Sequence, residues 1–215
     1  KKKGFTLFRT PDMAREEAVR GAAEIGDFKE TLYGIKDEDL YLIATAEHTL
    51  ASFHMNEMLN KEDLPLKYAG ISSCYRKEAG AHGQDQKGIF RVHEFRKVEQ
   101  FVYAHPKQSW KIHEELIKNA EEVFKKLKLP YRVISIASGA LNATAAKKYD
   151  LEVWMPAQNT YRELVSCSNC LDYQSRKLGI RFKDGNETIH PHLLNATAVA
   201  TPRILVAILE NCQQK

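Results

Sequence analysis

Apolar and polar positions alternate along 67–78 (KYAGISSCYRKE) and again along 91–103 (RVHEFRKVEQFVY), a pattern that predicts the two strands of one hairpin. Successive side chains on a strand point to opposite faces. Cys74, Arg76 and Glu78 therefore share one face of the first strand, and Arg91, His93, Phe95, Lys97 and Glu99 share one face of the second. The polar stretch 79–88 between them, with its glycines, His82 and Asp85, reads as a loop that is either mobile or ordered by a ligand. A helical period runs over 108–127, with Trp110, Ile112, Leu116, Ile117, Val123, Phe124 and Leu127 as its apolar positions. Further helices are predicted over 11–26, capped by Thr10 with Pro11 in its first turn, and over 46–59, with Leu50, Phe53 and both methionines turned inward. A short helix is expected within 170–178, and a last one from Thr201-Pro202, with Ile204, Leu205, Ile208 and Leu209 as its buried face. Short strands are predicted at 4–10, 41–45, 131–137, 149–155, 160–168, 179–182 and 190–196, with turns at 156–159 and 184–186. Strands in succession with helices grouped around them favour an antiparallel α+β domain over a doubly wound one.

Composition narrows the class. A chain of 215 residues, 43% hydrophobic and 28% charged, suffices for a single domain spanning 1–215 with its own core. A net charge of +4 permits an anionic ligand without demanding one. No apolar run approaches the roughly 20 residues of a membrane span, and no secretory leader opens the chain, so no membrane partner is expected. Four cysteines without a regular framework spacing predict reduced thiols and a cytoplasmic location.

The hairpin face carries the candidate chemistry. Arginines, carboxylates and an aromatic ring on one surface suit no packed core, because unpaired charge is costly to bury. They do suit a planar, multiply charged ligand: the ring stacks on a base, arginines hold phosphate and carboxylates take an amine or a metal. Neither GxxxxGK[ST] nor GxGxxG is present, so a nucleotide here is held by side chains on a sheet. Cys167-Ser168-Asn169-Cys170 is a CxxC without a second pair, and His190 and His192 flank a proline in a predicted strand. Two buried thiols in a strand-to-helix turn fit it better than zinc or a redox pair, with zinc left open. Glu163 with Ser166, Arg203 at the head of the last helix, and Thr45-Ala46-Glu47 at a strand end are each weak alone.

Four segments in order, CYRKEAG, GIFRVHEFRKVEQF, ELVSCSNCLDYQSR and LLNATAVATPRILVAILEN, carry a resemblance that covers nearly the whole chain. The sequence resembles the catalytic domain of the seryl-tRNA synthetase family, class II aminoacyl-tRNA synthetases, in its archaeal and eukaryotic cytosolic form. The resemblance implies a six- to seven-stranded antiparallel sheet flanked by helices, ATP and Mg2+ as cofactors, L-serine and tRNA(Ser) as substrates, and a homodimer with Pro11 at its interface. It implies that Arg76 clamps the α-phosphate and the serine carboxylate and that Glu78 reads the adenine amino group. Val92, His93, Glu94 and Phe95 match a second ATP-binding segment, with Phe95 stacking on adenine. Glu99 would hold serine, Thr45, Ala46 and Glu47 would form the other wall of its pocket, and Asn195 and Thr197 would complete it. Glu163 and Ser166 would carry Mg2+ and phosphate oxygens, and Arg203 would sit on the γ-phosphate.

The implied first step is attack of the serine carboxylate on the α-phosphorus with release of pyrophosphate, which needs charge cancellation and alignment rather than a general base. The family's N-terminal helical arm for tRNA and most of its first motif have no counterpart before Gly4, so amino-acid activation is the firmer expectation and tRNA charging the weaker. Pro202 stands where many class II enzymes place a small residue, which predicts a shifted helix start rather than a lost site. A paralogue that loads an amino acid onto a carrier protein, or a non-catalytic regulatory module, are the alternatives.

Overall fold

The computed structural model describes residues 3–23, 30–78 and 88–213. Its centre is a seven-stranded sheet built from β1 (Thr6–Arg9), β5 (Leu66–Tyr75), β6 (Glu94–Ala104), β12 (His192–Ala200), β9 (Thr160–Asn169), β8 (Lys147–Met155) and β7 (Tyr131–Ser135), in that spatial order. All neighbours pair antiparallel except β1, which runs parallel to β5 from Thr6 opposite Tyr68 to Arg9 opposite Ile71. The antiparallel expectation thus holds for six strands and fails at one edge. Two small sheets flank the large one: β2 (Met13–Ala14) with β3 (Tyr41–Leu42), and β4 (Met58–Leu59) with β10 (Arg181–Asp184) and β11 (Glu187–Ile189). The last of these strands has no counterpart in the sequence-based reading.

Helix α3 (Ser109–Leu127) lies across one face of the sheet, where Leu116, Ile117 and Phe124 pack with Val102, Leu151, Val165 and Leu194. On the other face, α2 (Glu47–Ser52) brings Leu50 and Ala51 onto Phe101, Tyr103 and Leu193. Gly70 on β5 makes this approach possible: a Cβ there would lie 2.9 Å from the Ala46 Cβ and 2.8 Å from Leu50 Cδ1. The short helices α1 (Glu16–Ala22) and α4 (Tyr173–Lys177) pack beside α2, and α5 (Thr201–Cys212) closes the chain.

Several predicted ends shift for local reasons. The first helix begins at Glu16, not after Thr10, because Met13 and Ala14 are drawn into pairing with Leu42 and Tyr41. Glu16 and Glu17 then occupy its first turn, where the helix dipole favours them; residues 24–26 of the predicted extent lie outside the described residues. Helix α2 stops at Ser52 rather than near 59, since Asn56 turns the chain at φ 63° and Met58 and Leu59 pair with Arg181 and Phe182. Met58 is consequently 48% exposed. On α5 the buried stripe is Ile204 and Ala207, while Leu205 and Leu209 face outward, so the expected face is rotated by about one position. Among the described residues no helix is long and apolar enough to cross a membrane.

Candidate active site

The charged half of β6 faces an open cleft of about 820 Å³ on the α2 side of the sheet. Strand period two delivers Phe95, Lys97 and Glu99 to it together. β5 ends at Tyr75, and Arg76 and Glu78 line the cleft from just beyond the strand, with Glu78 in the left-handed region at φ 52°. From β12 come Asn195 and Thr197, and from the turn into α5 come Pro202 and Arg203. Pro202 occupies the first turn of α5, where a missing N–H costs nothing, and Arg203 follows it into the cleft.

Glu163 and Ser166 lie three apart on β9, a spacing that on a regular strand would put them on opposite faces. The register explains why both reach the cleft: Glu152 pairs with Glu163 and Leu151 with Val165, leaving Leu164 as the extra residue of a β-bulge. A second bulge on β12, between Thr197 and Val199, likewise turns Ala200 to the same side as Thr197.

At the floor, Lys97 Nζ pairs with Glu99 Oε2 at 2.7 Å and donates to Thr45 Oγ1 at 2.7 Å, while Thr197 Oγ1 donates to Glu99 Oε2 at 3.3 Å. Both charged side chains are nearly sealed, at 8% and 2% exposure, so the pair is held by geometry rather than by solvent. Beside it, Glu47 Oε1 accepts from Asn195 Nδ2 at 2.9 Å and from Gln174 Nε2 at 2.7 Å. Burial, reinforced by the negative field of Glu99, pushes the Glu47 carboxyl up to about 7, against the lowering effects of Gln174, Lys97 and Arg76.

At the rim, the Arg76 guanidinium lies 5.3 Å from the Phe95 ring centroid, and its Nε reaches Ala44 O at 3.4 Å. Arg91 Nη1 pairs with Glu78 Oε2 at 3.0 Å. Arg203 Nη1 donates to Glu163 O at 2.7 Å, and its guanidinium stands 5.0 Å from the Phe90 ring. Burial lowers the Arg203 pKa, with Arg76 and Arg91 acting in the same direction against the raising effects of Glu163 and Glu78. Arg76, Arg91 and Arg203 converge on the rim and suit an anionic ligand, while Glu47, Glu78, Glu99 and Glu163 balance the cleft's positive charge. Asp150, opposite Ser166 on β8, is pushed up to about 6 by burial and by Glu163.

Of the residues singled out from the sequence, Thr45, Glu47, Arg76, Glu78, Val92, Phe95, Glu99, Glu163, Ser166, Asn195, Thr197 and Arg203 line this one cleft. Three do not. Ala46 is fully buried beneath α2, His93 is exposed with its Nδ1 on Tyr33 Oη at 2.5 Å, and Glu94 is exposed. The loop residues His82 and Asp85 lie outside the described residues. Arg91 lies on the face that the strand period gives it, among the arginines expected to hold phosphate, and Lys97 lies there without an assigned role. Phe90 and Gln174 carried no sequence signal, Phe90 because it precedes the strand and Gln174 because it acts through Glu47. The CxxC thiols are buried: Cys167 Sγ lies 3.8 Å from His113 O, and Cys170 Sγ accepts from Asn195 Nδ2 at 3.7 Å.

Glu163 and Ser166 offer a carboxylate and a hydroxyl, and no His or Cys lines the cleft. Among the described residues no cluster of three or more His, Cys, Asp or Glu is arranged to hold a metal by itself. The set fits a hard cation that takes its remaining ligands from phosphate and water.

With this geometry in hand, comparisons with known proteins give a consistent answer. The chain is 57% identical over 214 residues to the serine--tRNA ligase of Sulfurisphaera tokodaii, which covers 99% of this chain and 47% of that protein. It superimposes on the crystal structure of seryl-tRNA synthetase from Pyrococcus horikoshii complexed with ATP with a TM-score of 0.96, at 55% identity, covering 99% of this chain and 48% of the other. For the cytoplasmic serine-tRNA ligase from Naegleria fowleri in complex with AMP the TM-score is 0.94, at 49% identity, covering 99% and 51%. The chain spans about half the length of the curated relatives it matches. A profile of the tRNA synthetase class II core domain (G, H, P, S and T) matches residues 31–212, and the chain belongs to that family.

Proposed function

We propose that the cleft activates L-serine with ATP, forming seryl-adenylate and releasing pyrophosphate, as the first step of attaching serine to tRNA(Ser). One observation carries this reading: Arg76, from the end of β5, and Arg203, from the head of α5, open onto the same cleft although 127 positions apart. Serine carboxylate and ATP α-phosphate are both anionic and repel each other. Arg76 neutralises that repulsion and holds the nucleophile in line. Arg203 takes the leaving pyrophosphate end, and Phe95 offers its ring to the adenine. When bound, Mg2+ supplies Lewis-acid charge neutralisation at the phosphates, with Glu163 and Ser166 as its holders. A carboxylate nucleophile has no proton to lose, so no general base is called on.

Selection of serine rests on the floor of the cleft. Glu99, held by Lys97 and Thr197, accepts from the serine ammonium or hydroxyl, and Asn195 and Glu47 complete the polar wall. An amino acid without the hydroxyl leaves these groups unpaired, which is the basis of strong discrimination. The ATP-complexed relative from Pyrococcus horikoshii supports the nucleotide, and the ligase names of the curated relatives support the amino acid and the tRNA.

The protein acts as a homodimer in this reading. Support comes from the edge around Pro11, where Leu7 is 60% exposed, Phe53 52% and Met13 44%, an apolar rim fit for a second copy. Sedimentation at rising concentration tests it, a monomer throughout being the contrary result. A cytoplasmic setting agrees with cysteines that are all free thiols. The central test is pyrophosphate exchange with each amino acid in turn. Exchange with serine alone is expected; exchange with another amino acid, or with none, overturns the reading.

A further inference from the structure

Glu47 is held from behind. Its Oε1 accepts two amide N–H groups, from Asn195 Nδ2 at 2.9 Å and from Gln174 Nε2 at 2.7 Å. A carboxylate oxygen has two lone pairs, so Oε1 is filled and Oε2 is the oxygen left for a ligand. Asn195 stands in the cleft and meets the amino acid in the reading above. Gln174 lies on α4, is 0% exposed and is not among the residues that line the cleft. Its bond to Glu47 is how it reaches the chemistry.

What fixes Gln174 is the end of another helix. The second hydrogen on Nε2 goes to Ala22 O at 2.8 Å, one of the last carbonyls of α1, which a helix leaves unpaired at its own end. α1 is seated tightly beside α4: a Cβ on Gly21 would lie 2.2 Å from Cδ2 of Leu178, the residue just past α4. The amide has one orientation that fits. Gln174 Oε1 is sealed without a hydrogen-bond partner among the described residues, and a reversed amide would press that oxygen against two acceptors. The side chain is a strut from the carboxyl end of α1 to the back of Glu47.

We propose that Gln174 is a positioning residue for the amino acid, locking the Glu47 carboxyl so that Oε2 alone is presented to serine. The inference rests on the serine-activation reading above and adds a residue outside the cleft on which serine binding depends. A carboxyl already locked loses no rotamer freedom when the substrate arrives, which strengthens binding without touching the α-phosphate. The lock also decides where a proton sits. With Oε1 occupied by two donors, a proton on Glu47 is confined to Oε2, the oxygen that serine needs. Burial and the charge of Glu99 favour that proton, while Gln174, Lys97 and Arg76 oppose it. His48 and the Cys170 thiol, close to the same carboxyl, are kept neutral by burial.

The test is pyrophosphate exchange in the full chain, with serine and ATP varied separately and across pH. Gln174→Met keeps the volume and removes both N–H donors. It is expected to raise KM for serine by about tenfold, the worth of one hydrogen bond to a charged group, with kcat and KM for ATP within about twofold. The acid-side inflection of kcat/KM for serine is expected to move to higher pH, because a bond that favours the carboxylate is gone. A residue that only supports the fold lowers kcat or ATP affinity as well and leaves the inflection in place, a result that overturns the lock. Should the methionine variant fail to fold, Gln174→Glu decides, since it keeps length and packing but sets a second carboxyl against Glu47. A serine KM raised by about tenfold or more with an unchanged KM for ATP then supports the lock. An unchanged serine KM overturns it, and so does a rise in both. Wild-type exchange with unaltered kinetics in the variants overturns the role of Gln174 alone and leaves the activation reading standing. Absence of serine-dependent exchange in the wild type removes the activation reading first.

Discussion

Strand β6 holds two different worlds on one face. Phe95, Lys97 and Glu99 open onto the cleft, and two and four positions further on Phe101 and Tyr103 are sealed at 0% exposure against α2. The backbone is the same and the period is the same. The difference is what lies opposite: α2 covers the aromatic end with Leu50 and Ala51, while the charged end meets Thr45 and Glu47 at the head of α2, Arg76 beyond β5, and the rims supplied by β9, β12 and α5. One end is stabilised by burial, and the other by a set of charges that wait for a ligand. The largest effect on activity, and the one that could break this contrast outright, comes from the charged end. Arg76→Ala should reduce serine-dependent pyrophosphate exchange by about 100-fold or more, a loss of about 3 kcal/mol of transition-state stabilisation, with little change in the unfolding midpoint. A variant that exchanges normally would show that the cleft's cations are surface charge and nothing more.

The next effect is on stability, and it sits at the boundary between the two ends. Lys97 and Glu99 are almost as enclosed as the aromatic residues beyond them, yet both are ionic. Lys97→Met strands the Glu99 carboxylate in a sealed site and should cost about 3–5 kcal/mol in urea unfolding. Adding Glu99→Gln should recover most of that loss, because a neutral amide needs no counter-charge, while serine-dependent exchange stays lost. If the single variant costs under about 1 kcal/mol, the pair is solvated and belongs with the rim, not the floor.

This boundary also marks how far the sequence could be read. The face of β6 was legible because a two-residue period needs nothing from the rest of the fold. Arg76, Phe95, Glu99, Asn195 and Thr197 gather where that period, or the resemblance, put them. Glu163 and Ser166 came together only through the resemblance, since the strand period puts them on opposite faces and the bulge at Leu164 that unites them is a property of pairing with β8. Ala46 and Glu94 lie off the cleft for the opposite reason: a motif names neighbours in the chain, and the helix or strand turns alternate ones aside. His93 shares the Phe95 face by period but precedes β6, which begins only at Glu94, and its ring meets Tyr33 instead. The helix ends at Glu16 and Ser52 were missed because short strand pairings, with Leu42 and with Arg181, outcompeted local helix propensity. The face of α5 was misjudged because Leu205 and Leu209 are as apolar as Ile204, and no composition rule says which apolar stripe the sheet will meet.

A smaller effect follows from Glu47, whose carboxyl stands at about 7 against an ordinary value of 4.5. Below 4.5 folded and unfolded chains both hold the proton; between 4.5 and about 7 only the folded chain does. The folded state therefore binds more protons in that window, and Glu47's contribution to stability falls as pH rises through it, then levels off. Glu47→Gln keeps an acceptor for Asn195 and Gln174 but has nothing to titrate. The difference in unfolding midpoint between wild type and variant should shift toward the variant as pH is raised from about 5 to about 8. A difference that stays flat across the window would mean the carboxylate is ionised throughout, its burial being offset by Lys97 and Arg76.

The smallest effect belongs to the sealed end. Tyr103 is 0% exposed, and its hydroxyl donates to Ala51 O at 3.0 Å and is shared with Leu50 O. Burial lifts the phenol pKa well above 10, so the group remains a neutral donor at any physiological pH. Tyr103→Phe removes the donor and leaves two carbonyls at the end of α2 that fraying can expose to water. The expected cost is about 1 kcal/mol in urea unfolding, the net worth of an ordinary hydrogen bond. The comparison is sharpened by what should not change. Leu50 and Ala51 sit on the same helix as Glu47, so a rigid α2 transmits a shift at its end to the wall of the amino-acid pocket. An unaltered KM for serine in pyrophosphate exchange means the two ends of the face are energetically separate, and the sealed aromatic end is scaffold. A raised KM with normal kcat means the aromatic end sets the pocket's width, and the face then works as one unit despite its two chemistries.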